Sequence, residues 1–208
     1  MGKRDVFINC PFDDEYRPLF EALVFAVTAA GYNVRCALED DDGANIRFEK
    51  LRKLIAVCPR TIHDLSRTGL GGNDLPRFNM PFELGLAMGL KYFGPRSKRK
   101  NSALILIKKQ YSLAGYLSDL AGNDPQAHED DPKKLIRFVL RYLKRTPANR
   151  LLQGPGPASM IGLFEEFKSA LPTMAEKAER TVDEVHPFHD YPVFLTLVTE
   201  FLIAIDGI

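Results

Sequence analysis

The sequence is short of the features that most often announce a function. Its 28 Lys and Arg against 27 Asp and Glu leave a formal net charge of +1 over 208 residues. That balance removes any bulk electrostatic case for nucleic acid or an anionic membrane. Only three cysteines occur, Cys10, Cys36 and Cys58, widely spaced and without a C-x-x-C pair. They read as small buried hydrophobes of a reducing compartment rather than a disulfide frame or zinc site. No apolar run approaches the ~20 residues needed to span a bilayer. The opening "MGKRDVFINC" has no long apolar signal segment, and Val6 breaks the myristoylation pattern. A cytoplasmic protein without membrane contact is therefore expected. There is no G-x-S-x-G, Cys10 has no evident His partner, and "GLGGND" lacks the Lys-Ser/Thr ending of a phosphate-binding loop. His63, His128, His186 and His189 show no metal-ligand spacing, and no metal is expected.

What is present is an alternation. "DVFIN" is a short apolar run broken by "CPFDDE", which predicts a buried strand and its loop. Leu19, Phe20, Leu23, Val24, Val27 and Ala30 recur at helical spacing, and Gly31 follows as the stop. "YNVRCALE" predicts a second strand over 32–39. A helix over 44–57 follows the acidic loop, with Ile46, Leu51, Leu54 and Ile55 on one face. "TIHDLS" is the third strand and "SALILIK" the fourth, with a helix from "NMPFELGLAMGLK" between them. Such alternation predicts a parallel sheet in an α/β, flavodoxin-like doubly wound fold. Helices are also expected over 129–145, 159–170 and 191–205, making a C-terminal helical extension. The expected division is an α/β domain over 1–124 and a helical region over 125–208 packed on it. Ligands of such sheets bind beyond the carboxyl ends of the strands. The loops "CPFDDE", "EDDDG" and "DLSRTGLGGND" all fall there.

Glu83 is the most pointed residue. With Pro81 in the first helical turn and Asn79 as the cap, it falls inside that turn. One reading makes it a capping-box or dipole-complementing carboxylate. The other makes it a nucleophile: an acid kept ionised by the helix end, facing a ligand, able to attack an anomeric carbon and form a glycosyl ester.

"VFINCPFDDEYRPLFEALVFAVTAAGYNV" resembles the opening of nucleoside 2-deoxyribosyltransferases, and "MPFELGLAMGLK" is similar to their catalytic E-L-G-x-A helix. The layout also looks like TIR domains, which cleave the nicotinamide–ribose bond with a helix-borne Glu. The resemblance covers roughly residues 5–110. It implies cleavage of an N-glycosidic bond in a nucleoside, nucleotide or NAD, the last as substrate rather than cofactor. Glu83 would be the nucleophile, and Asp64 would position sugar or base. Cys10, Pro11 and Phe12 match the family's pocket loop. Phe12 could stack on a base or serve as a core aromatic. In the transferases an Asp lies a few residues before the Glu. Here Asp74 stands farther ahead, and the intervening stretch carries Arg77. Arg67 and Arg77 flank the Gly-rich loop, where a guanidinium would suit a phosphate or pair with Asp64 or Asp74. The resemblance further implies a homo-oligomer. The alternative is a nucleotide-binding sensor or interaction module without catalysis, relaying to a protein partner through the C-terminal helices.

Overall fold

The computed structural model describes residues 4–39, 43, 46–68, 78–111, 115–120, 122–144 and 156–206. Among them five strands form one parallel sheet: β1 (Asp5–Asn9), β2 (Asn33–Arg35), β3 (Arg60–Asp64), β4 (Ser102–Ile107) and β5 (Gln126–Ala127), in the order β2-β1-β3-β4-β5. The chain moves one way from β1 to β2 and the other way from β3 onward, so the winding reverses between β1 and β3. This is the doubly wound, flavodoxin-like α/β fold expected, and the reversal marks the ligand-binding end of such sheets. Among the described residues six α-helices accompany it: α1 (Arg17–Ala29), α2 (Arg47–Val57), α3 (Asn79–Phe93), α4 (Pro132–Lys144), α5 (Pro157–Lys177) and α6 (Tyr191–Asp206).

These elements group into two compact units. One comprises Met1–Pro11 and Asn33–Asp131, the other Phe12–Tyr32 and Pro132–Ile208. In this grouping α1 clusters with the C-terminal helices, whereas the division expected from sequence was a linear one at residue 124.

In the sheet unit, every residue of β1 and β3 is buried, which fits strands covered on both faces. Phe7 joins Leu51, Leu54, Ile55, Cys58 and Ala87 in one apolar cluster, so α2 and α3 lie over the Phe7 face of the sheet. Leu65, Met80, Leu84 and Ile107 form a second cluster beneath α3. Two elements depart from the sequence reading. The second strand is only three residues long, giving way at Ala37–Glu39 to a 3-10 turn that brings Glu39 onto Arg35 at 2.8 Å. Ile46 is not part of the buried face of α2; it stands at the cap, 69% exposed. The basic run "RSKRK" forms another 3-10 turn, from which Lys98 Nζ donates to the Ala56 carbonyl near the end of α2. A cation at a helix carboxyl end is favourably placed.

In the helical unit α1 is buried continuously from Leu19 to Val27, a stretch apolar except for Glu21. On α4, Leu135, Ile136, Val139, Leu140 and Leu143 make the buried stripe, while Arg137 and Arg141 face solvent. Phe25, Phe167, Phe194 and Phe201 interlock, with centroid separations between 5.3 and 6.3 Å. Fully burying one such ring contributes roughly 1.5–3 kcal/mol. Helix α5 runs to Lys177, past Pro172, whereas the sequence reading stopped it at Ala170. Gly31 follows α1 with φ +76, the left-handed conformation that ends the helix as expected. Gly31→Ala should lower stability by about 1 kcal/mol, read from the shift of the urea midpoint.

Candidate functional site

The site is built on the Phe7 face of the sheet unit, at the carboxyl ends of β1 and β3. Asn9 and His63 are register partners on adjacent strands, so their side chains rise on the same face. Asn9 Nδ2 lies 2.9 Å from His63 Nδ1 and donates to the Met80 carbonyl, also at 2.9 Å. One amide thus ties β1 to β3 and fastens the first turn of α3 to both. His63 is wholly buried, and loss of water pushes its pKa down to about 3, so the ring stays neutral. Its Nε2 has no hydrogen-bond partner among the described residues. Leaving such a donor unmet costs about 1–3 kcal/mol.

Glu83 lies on the inner side of α3 with Met80, Leu84 and Ala87 and is only 5% exposed. Two sequence expectations change here. The cap position is Phe78 rather than Asn79, which is an exposed residue inside the helix, and Phe78 supplies no side-chain capping bond. Glu83 is therefore the fifth helical residue, at the start of the second turn. It makes no hydrogen bond or ion pair with any described residue, so it closes no capping box. Its charge state changes too. Burial pushes the carboxyl up to about 7, with Arg47 at the start of α2 pulling it only partly back. The helix end does not offset the lost hydration, and near neutrality Glu83 exchanges its proton instead of standing permanently ionised.

Asp64 ends β3 on the opposite face from His63. It is fully buried and accepts the Ser66 N–H at 2.8 Å. His128, just after β5 and also fully buried, brings Nε2 to 3.1 Å from Asp64 Oδ2, too oblique for a hydrogen bond but a close electrostatic contact. His128 Nδ1 accepts the Asp130 N–H at 3.0 Å, which leaves the proton on Nε2, toward Asp64. Glu129 and Asp130 both have φ 56, a left-handed turn that non-glycine residues adopt only under constraint. The two carboxylates singled out from sequence thus approach one edge from different faces of the sheet.

The other candidates separate. Cys10 and Pro11 are buried beyond β1. Phe12 belongs to the helical unit, where its ring meets Phe20 and Phe188 edge-on, the arrangement of a core aromatic. Arg67 is half-buried in the loop after β3. Asp74, Arg77 and the acidic stretch 40–42 lie outside the described residues. None of the three cysteines forms a disulfide, and burial pushes the Cys58 thiol up to about 12.

Asn9, His128 and an aromatic pair went unread in the sequence. Phe48 on α2 and Phe82 on α3, next in sequence to Arg47 and Glu83 respectively, stand 6.1 Å apart and are 43% and 55% exposed. A cavity of about 90 Å³ lies elsewhere, toward the amino ends of β3 and β4, where Thr61, Asn101, Ser102 and Ala103 help to line it. It does not include Glu83, and a carboxyl deprived of water counts for more than cavity shape in locating chemistry. Among the described residues no helix is long and apolar enough to cross a membrane, and no cluster of His, Cys, Asp or Glu could hold a metal ion. Compared with known proteins, the chain matches no family, no curated protein and no solved structure.

Proposed function

We propose that the protein cleaves an N-glycosidic bond in a nucleoside, nucleotide or NAD, with Glu83 as nucleophile. The observation that carries this reading is a water-deprived carboxylate, unpaired among the described residues, near the ligand-binding end of a doubly wound sheet. Surface acids are normally solvated, and buried ones are normally paired. The resemblance of "MPFELGLAMGLK" to the catalytic helix of nucleoside 2-deoxyribosyltransferases points the same way. The half-exposed rings of Phe48 and Phe82 would suit a base or nicotinamide ring. In the reaction a Glu83 oxygen bonds to the anomeric carbon while the C–N bond breaks, its electron pair leaving with the base. Water or a second base then releases the sugar.

The assay follows free base by chromatography after incubation with deoxynucleosides, nucleotides and NAD. Because only the ionised carboxylate attacks, the rate should rise with pH through about 7 and then level off. A rate falling through that range would make Glu83 a proton donor rather than a nucleophile. Base release that persists undiminished in Glu83→Gln refutes the proposal. Tight calorimetric binding with the ligand recovered intact would replace catalysis by sensing.

A further inference from the structure

We infer that His63 presents Nε2–H as a fixed, uncharged donor to a hydroxyl oxygen on the pentose of the ligand, on the side from which Glu83 attacks. This rests on the glycosidic reading above and extends it to recognition of the sugar.

The tautomer follows from the contacts. The Met80 carbonyl can only accept, so the Asn9 atom facing it must be the amide nitrogen. That same nitrogen faces His63 Nδ1, which must therefore offer its lone pair. The ring proton is left on Nε2, a position with no partner among the described residues in a side chain 0% exposed. Asn9 uses both its amide hydrogens to hold this arrangement, and the Phe7 ring meets the imidazole edge-on at 6.2 Å. The donor is thus oriented from two sides.

Position selects what it meets. His63 rises on the sheet face covered by α2 and α3. On α3, Glu83 lies between Met80, which Asn9 holds, and Ala87, which joins the Phe7 cluster. Donor and nucleophile thus occupy one side of the sheet. A nucleophile displacing a base must approach the anomeric carbon from the face opposite that base. In a β-nucleoside the 2′ and 3′ hydroxyls project on that face. A neutral imidazole N–H matches a neutral hydroxyl oxygen, whereas a phosphate would call for a cation.

The test uses the full chain carrying Glu83→Gln, so that ligands stay intact. Calorimetry compares a ribonucleoside or NAD with its 2′-deoxy and 3′-deoxy forms. Loss of one hydroxyl should weaken binding about tenfold, and adding His63→Phe should reduce that preference to less than twofold. Equal binding of all three forms, or a preference unchanged by His63→Phe, overturns the inference. Should His63→Phe not fold, the nitrogen-15 spectrum of His63 decides. Ligand binding should shift the Nε2 proton and slow its exchange; an unmoved resonance under saturation overturns the inference. Base release that depends on Glu83, with a hydroxyl preference indifferent to His63, would leave the glycosidic reading standing and remove only this one. Neither release nor binding of any nucleoside would remove both.

Discussion

Glu83→Gln should lower base release at least a thousandfold while making the protein more stable at pH 8. The first effect follows from removing the attacking oxygen: an amide of the same shape fills the site but forms no glycosyl ester. The second follows from linkage. In the unfolded chain a glutamate ionises near 4.5; in the folded protein burial holds the proton until about 7. Below the lower value both states are protonated, and ionisation contributes no penalty. Between the two, the unfolded state releases its proton first, so stability falls as pH rises. Above the folded value the full penalty, about 3 kcal/mol, is present. Glutamine does not titrate, so variant and parent should have similar urea midpoints at pH 4 and separate progressively toward pH 8. A destabilised variant at pH 8 would mean that the carboxylate is solvated or paired, and the nucleophile assignment would lose its footing. Catalytic groups that reduce stability where they sit are a common trade-off.

Removing both cations around Glu21 should cost 3–5 kcal/mol, on the order expected for stranding a buried charge. Glu21 belongs to α1 and is 1% exposed. Arg17 Nε donates to one carboxylate oxygen at 2.8 Å and Lys168 Nζ to the other, so the acid is held from its own helix and from α5. Arg17→Met combined with Lys168→Met leaves the carboxylate with neither cation. Either change alone should cost much less, because the remaining cation still answers the charge. Adding Glu21→Leu to the double variant should recover most of the loss, since a hydrophobic replacement of a buried ion cluster is often neutral. Denaturant unfolding of the four variants, the two singles, the double and the triple, measures this. Additive losses from the single changes, with no recovery in the triple, would show that packing rather than charge is at stake.

How much was readable in the chain depended on what each signal needed. "DVFIN" and "SALILI" are short apolar runs, recognisable as strands from composition alone; β1 is buried throughout, whereas β4 is buried only at Leu104, Leu106 and Ile107. β5 spans two residues and carries no periodicity, so His128, which reaches Asp64 only through it, had no local signature. Asn9 reads as a turn former at the end of a strand. Its role exists only because Met80 arrives from far along the chain. Pro172 is a strong stop in sequence, yet α5 carries it in the interior of the helix. Glu83 could be picked out by its place between the third and fourth strands. Its burial could not, because that depends on how α2 and α3 meet. The ionised state expected for it was drawn from the helix end alone, and desolvation proved the larger influence.

The polypeptide passes between its two compact units three times, after Pro11, Tyr32 and Asp131. Neither half is therefore a cassette that could be excised, swapped or fused by cutting at one point. Removing everything after Asp131 would strip α1, buried from Leu19 to Val27, of the helices it clusters with. Those last residues are better regarded as the second instalment of a core begun at Phe12 than as a tail.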